Sequence, residues 1–133
     1  EAYDFVAGYT ILNDVTARAL QNQDKQKGLP WSRSKGFDTF CPIGPYLIPK
    51  GCVEDPHNLE LKVEVNGEVR QKANTNTMLF QIPKLIEYLS KHMTLFAGDI
   101  IATGTPEGVG PLQSGDTVDV RIADWGVLRN RIV

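Results

Sequence analysis

Apolar and polar residues alternate strictly along Leu59-Glu-Leu-Lys-Val-Glu-Val65. A period of two marks a strand with one covered face, so Leu59, Leu61, Val63 and Val65 should face a core and Glu60, Lys62 and Glu64 water. Asn66-Gly67 follows, then Glu68-Val-Arg-Gln71. Asn and Gly tolerate the positive φ of a type I′ turn, so this stretch predicts a β-hairpin. Phe5 to Leu12 predicts a buried strand, because Val6, Tyr9, Ile11 and Leu12 supply β-branched and aromatic bulk. A helix pattern opens at Asp14 and frays near Asp24. It places Asp14, Arg18 and Gln21 on one face at i, i+4 and i+7. Asn22 to Lys27 is too polar to pack, and Gly28-Leu-Pro30 ends the element.

Trp31 to Phe40 predicts a loop rich in charge and aromatics, and prolines then punctuate a short extended piece around Tyr46-Leu-Ile48. Pro83 suits the first turn of a helix running to about His92, with Leu85, Ile86, Leu89 and Met93 on one stripe. Asp99-Ile-Ile-Ala-Thr103 predicts a buried strand leading into Gly104-Thr-Pro-Glu-Gly-Val-Gly110. Thr117 to Ile122 alternates as a strand, and Gly126 to Val133 predicts a final one. The pattern predicts a single β-rich domain over residues 1–133, of α+β class, with two helices.

Composition narrows the function classes. Hydrophobic residues make up 41% and charged residues 23%, the balance of an ordinary globular domain. The net charge is −2, and Lys25, Lys27, Arg33 and Lys35 read as a solvated face, so no nucleic-acid partner is expected. No apolar run approaches the ~20 residues that span a bilayer, so no membrane partner is expected either. Cys41 and Cys52 are the only cysteines. They are too few for a disulfide scaffold and lack metal-ligand spacing, which predicts reduced thiols in a cytoplasmic protein. The chain opens at Glu1 without an initiator Met. A preceding segment is therefore expected, and it leaves the mitochondrial matrix as the alternative compartment.

The candidate chemistry is incomplete. The glycines of 104–110 lack both the phosphate-loop and the dinucleotide spacing, and Pro106 removes an N–H. Backbone N–H groups there, with the Thr103 and Thr105 hydroxyls, could hold an anionic oxygen, but taken alone the loop reads first as a structural turn. Lys35, between Trp31 and Phe37, could pair with a substrate carboxylate or enolate, and an ordinary surface lysine is the alternative. His57 lies in a turn and His92 at a helix end, so neither is a candidate base. Asp14 is a single carboxylate at a strand-to-helix junction: a helix N-cap, or one ligand of an unfinished site.

Four separated stretches together resemble one family, in order and over essentially the whole chain. They are Gly8-Tyr-Thr with Asn13-Asp-Val-Thr-Ala-Arg18 and Gln21; Trp31 with Lys35-Gly-Phe-Asp-Thr-Phe-Cys-Pro-Ile-Gly-Pro45; Val65-Asn-Gly-Glu-Val-Arg-Gln71 with Asn74, Thr75 and Met78; and Gly98-Asp-Ile-Ile-Ala-Thr-Gly-Thr-Pro-Glu-Gly-Val-Gly110. This set resembles the fumarylacetoacetate hydrolase family. Gly28-Leu-Pro-Trp31 leans toward its acylpyruvate hydrolase and oxaloacetate decarboxylase branch. The resemblance implies a rolled mixed β-sheet, a homodimer and a Mg²⁺ or Mn²⁺ site of three carboxylates. It implies that Asp14 is one metal ligand. It assigns Arg18, Gln21, Lys35 and Thr105 to the substrate, and gives Lys35 the catalytic role.

Two features of the family pattern do not occur in these residues: a Glu-x-Glu ligand pair and a His–Glu base pair, both upstream of the Gly-Tyr-Thr strand. The expectation is therefore the later part of a catalytic domain, inactive by itself. The whole enzyme is expected to cleave a C–C bond in a small acylpyruvate-type 2-oxo acid, with water activated by the upstream base and a metal-chelated enolate stabilised with Lys35. Oxaloacetate decarboxylation and isomerisation of 2-hydroxyhepta-2,4-diene-1,7-dioate would use a similar enolate. A non-catalytic binding module on the same scaffold is the alternative from another class.

Overall fold

The computed structural model describes residues 1–133. Its centre is a four-stranded antiparallel sheet in the order β4-β3-β5-β6. β3 (Glu60–Val65) and β4 (Glu68–Asn74) form the predicted hairpin. Asn66 and Gly67 take φ of 52° and 84°, the left-handed pair a type I′ turn requires. Asn66 has a second task. Its side-chain Oδ1 accepts from Thr117 N at 2.9 Å and its Nδ2 donates to Asp116 Oδ1 at 2.8 Å, tying the turn to the start of β5 (Thr117–Ile122). β5 then pairs with both β3 and β6 (Leu128–Arg131).

The second sheet is the antiparallel pair of β1 (Gly8–Leu12) and β2 (Ile43–Pro49). β2 tolerates Pro45 and Pro49 because it pairs on one side only. β1 lies against β5, and this contact makes the core: Ile11 packs with Val65, Val118, Val120 and Leu128. Val63, Leu112, Ile122, Trp125 and Ile132 line its edge. β5 is covered on both faces. Val118 and Val120 point into the core, while Asp119 on the opposite face is buried against Arg129, whose Nε and Nη2 donate at 2.7 and 2.6 Å.

The α+β, β-rich class agrees with the sequence. Every ladder within these residues is antiparallel, so the pairing that would make the sheet mixed is not formed between them. There are three helices rather than two: α1 (Arg18–Gln26), the one-turn α2 (Ser32–Lys35) and α3 (Ile82–Ser90). α2 lies inside the stretch predicted as loop. No helix is long and apolar enough to cross a membrane. Cys41 and Cys52 are exposed and unbonded.

Three other expectations fail for reasons of hydrogen bonding. The first helix starts at Arg18, not Asp14: its first bond runs from Gln21 N–H to Ala17 O, while the Asp14 carbonyl takes the Thr16 hydroxyl instead of a helical N–H. Val15 N–H goes to Asn13 O, and Ala17 N–H goes to Ser34 O. Residues 2–5 form a 3₁₀ turn, so only Gly8–Leu12 of the predicted first strand pairs. Asp99-Ile-Ile-Ala-Thr103 is not a strand and not buried: Ile100 is 55% exposed, and no other segment of the chain runs beside this stretch to form a ladder.

Only 10 of the 133 residues are buried, while Leu79 and Phe96 are 93% and 72% exposed. A chain of this length ordinarily covers far more apolar surface, so much of the apolar surface here has no cover within residues 1–133. The α3 stripe shows the same. Leu85, Ile86 and Leu89 are half-covered, and Met93 is exposed.

Hydrogen bonds from Arg129 hold the Asp119 carboxyl below the usual carboxylate range, against the opposing effect of burial. A lowered folded value means the stabilisation is complete above the unfolded value of about 4 and is lost as pH falls through the folded one. Asp119→Asn in the full-length protein should therefore lower the urea midpoint at pH 7 and flatten its decline below about pH 4. An unchanged acid slope would show that this pair does not govern acid unfolding.

Candidate functional site

The site is built where β1 ends. The strand delivers Asn13, whose N–H donates to Pro42 O at 3.1 Å, and the chain then turns without helix through Ala17. Asp14 sits on this turn with its side chain 35% accessible. Thr16 folds back, its hydroxyl donating to Asp14 O at 3.0 Å. Lys35 arrives from α2. Its ammonium forms an ion pair with the Asp14 carboxylate and donates to Thr16 Oγ1 at 3.1 Å. Residues 21 positions apart in sequence are thus in direct contact.

Asp14, Arg18 and Gln21 do not share one helical face, because Asp14 precedes the helix. Arg18 and Gln21 form a pair of their own in the first turn of α1, with Arg18 Nη1 donating to Gln21 Oε1 at 2.6 Å. Gln21 is buried and Arg18 stays exposed, so part of the guanidinium fork remains free for an anion. The structure therefore joins Asp14 with Lys35 of α2, and Arg18 with Gln21 of α1, as two separate pairs.

Thr105 joins neither group. It is exposed on an irregular segment that is held to β4 through its neighbours: Gln71 Nε2 donates to Pro106 O at 2.8 Å and to Glu107 O at 3.1 Å. The backbone at Gly108 packs against the same strand so closely that a Cβ there would lie 2.1 Å from Arg70 O. Gln71 therefore positions the Thr105 loop, a role the strand pattern around it did not reveal.

Sequence reasoning also missed Asp24, Arg33 and Ser34. Asp24 was expected in a fraying, solvated helix end. It is fully buried, and both of its carboxylate oxygens take hydrogen bonds from Arg33, whose Nε donates at 2.8 and 3.0 Å. Arg33 and Lys35, expected on a solvated basic face, are each paired with a carboxylate. The Arg33 hydrogen bond holds the Asp24 carboxyl below its ordinary range and raises the Arg33 guanidinium above its own. The available signal was spacing: Gln21 and Asp24 lie at i and i+3, on one face of α1.

The residues present supply one carboxylate toward a cation at this site. No cluster of three or more His, Cys, Asp or Glu side chains that could hold a metal ion forms within residues 1–133. They do not make a metal centre by themselves.

A family model, fumarylacetoacetate (FAA) hydrolase C-terminal, matches residues 1–133. The chain belongs to this family. It is 50% identical over 139 residues to the oxaloacetate tautomerase YisK of Bacillus subtilis (strain 168), covering 99% of this chain and 45% of that protein. It is also 50% identical over 121 residues to the mitochondrial oxaloacetate tautomerase FAHD1 of Bos taurus, covering 91% of this chain and 54% of that one. Among solved structures it is similar to fumarylpyruvate hydrolase from Pseudomonas aeruginosa in complex with Mn²⁺ and pyruvate. The TM-score is 0.94 at 36% identity, over 99% of this chain and 56% of the other. The chain spans about half the length of the curated relatives it matches. The fumarylacetoacetate hydrolase fold expected from the sequence motifs is the fold observed, and the family includes hydrolases and tautomerases of small 2-oxo acids.

Gly108→Ala tests the anchoring of the Thr105 loop. Backbone cannot yield to a new methyl as a flexible side chain can, so the variant should lose about 1–3 kcal/mol in chemical denaturation. A stability equal to wild type would show that the loop moves freely over β4.

Proposed function

We propose that the full-length protein binds a small 2-oxo acid and carries it through its enolate, with Lys35 as the catalytic group and Asp14 as one ligand of a divalent metal ion. The observation that carries this reading is the convergence of the Lys35 ammonium, the Asp14 carboxylate and the Thr16 hydroxyl at the end of β1. This convergence occurs in a chain half identical to oxaloacetate tautomerases.

An enolate concentrates negative charge on oxygen. A fixed ammonium, partly withdrawn from water, stabilises that charge more than bulk solvent does. Arg18, oriented by Gln21, presents its remaining N–H donors to the substrate carboxylate. Thr105 offers a hydroxyl from the loop held to β4. Asp14 suits Mg²⁺ or Mn²⁺, hard cations that take oxygen ligands, and the remaining ligands come from other parts of the full-length protein. When bound, such a cation neutralises charge developing on the 2-oxo group.

A proton shift between the keto and enol forms of an oxaloacetate-type acid needs little beyond this arrangement and a proton carrier. Hydrolytic C–C cleavage of an acylpyruvate is the second reading, supported by the fold match to fumarylpyruvate hydrolase. It also needs a base that activates water. Decarboxylation and dienedioate isomerisation share the same enolate. Residues 1–133 would then be the later part of one catalytic domain in a homodimer. Exposed side chains such as Leu79 and Phe96 would be covered by the rest of that assembly.

The test uses the full-length protein with Mg²⁺ or Mn²⁺, following loss of enol absorbance from oxaloacetate and, separately, release of pyruvate from an acylpyruvate. Lys35→Ala should lower kcat by about 10²-fold or more. Asp14→Ala should abolish the metal-dependent rate, and chelation should do the same until Mn²⁺ is restored. Wild-type rates in Asp14→Ala would remove it from the ligand set.

A further inference from the structure

We propose that Asp24 and Arg33 are positioning residues for Lys35: the ion pair between the buried Asp24 carboxylate and the half-exposed Arg33 guanidinium fixes α2 against α1 and thereby sets the place of the Lys35 ammonium beside Asp14. The inference rests on the reading of Lys35 as the group that meets substrate.

α2 is Ser32-Arg33-Ser34-Lys35, with no apolar side chain. A single helical turn has no stability of its own, and this one has no hydrophobic face to bury. Its place is therefore set by polar bonds. Arg33 reaches one way, to Asp24 on α1, and Lys35 reaches the other way, to Asp14 before α1. Between them the fully buried Ser34 accepts the Ala17 N–H through its carbonyl at 2.9 Å. The Ser34 hydroxyl donates back to Trp31 O at 2.8 Å. The carbonyl of Asp24 also accepts the Leu29 N–H at 2.9 Å, so the same residue anchors the turn that leads into α2.

Burying a carboxylate is costly, and a pair of apolar side chains would often serve stability as well. What apolar side chains would not supply is direction. A guanidinium bound through two N–H groups, here Nε and Nη2, to a fixed carboxylate defines an angle as well as a distance. Two residues further on, that angle determines where the Lys35 stem leaves the backbone.

The test compares full-length wild type with Arg33→Lys and with the double variant Asp24→Leu/Arg33→Leu, which leaves no unpaired buried charge. Near-ultraviolet circular dichroism and thermal melting establish that each is folded. The first readout is the acetylation rate of Lys35 by an N-hydroxysuccinimide ester, measured by peptide mass spectrometry against Lys84 in the same molecule. It should rise severalfold in the folded double variant, with Arg33→Lys between the two. The second is kcat, expected to fall between about tenfold and 10²-fold, as for a misplaced catalytic group. In a Lys35→Met background the same double substitution should cost less than about twofold, because coupled residues are not additive. Lys35 acetylation equal to wild type in the folded double variant would overturn the proposal. If Lys35→Met alone left kcat unchanged, the assignment of Lys35 to substrate would fall, and the acetylation ratio would still decide whether the pair positions it.

Discussion

Asp24 has no contact with water, and its charge is met chiefly by Arg33. A carboxylate in that position must be paired or neutral. The pairing closes the segment from 24 to 33 into a tight loop and brings α2 onto α1. Once α2 is there, the Ser34 carbonyl takes the Ala17 N–H and Lys35 falls beside Asp14. The same closure satisfies the Ala17 N–H, which lies at the helix start and has no partner within α1. The candidate site thus follows from an ion pair that no part of the substrate is expected to touch.

The rest of the scaffold supports this arrangement from below. Ile11 locks β1 into the core formed by β3, β5 and β6, so the end of β1 where Asp14 projects is rigid. On the far side, Gln71 and the close approach at Gly108 hold the loop of Thr105 to β4. Lys35 and Thr105 thus stand on different supports, Lys35 on the one-turn helix α2 and Thr105 on an irregular segment held to β4, each anchored through polar contacts. Such segments are where binding groups are commonly found, because rigid strands can aim them while the loops keep freedom of shape.

The exposed apolar side chains and the unpaired stretch 99–103 have one physical reading: both lack neighbours within these residues. The chain spans about half of each relative it matches.

Local periodicity determined several elements by itself. The strict alternation of 59–65 and the Asn66-Gly67 turn specify a hairpin because side-chain period and turn conformation are properties of adjacent residues. Pro83 and the apolar stripe did the same for α3. The motifs around Asp14, Lys35 and Thr105 named the family and the candidate residues. Only the tertiary structure decided where the first helix begins, because that depended on Ala17 finding a carbonyl at Ser34. It alone paired Arg33 with Asp24 and buried the Asp24 carboxylate, since burial of a polar side chain depends on a partner distant in sequence. It also left 99–103 outside any sheet. A strand pattern records that a segment can pair, and the ladder forms only where another segment lies beside it.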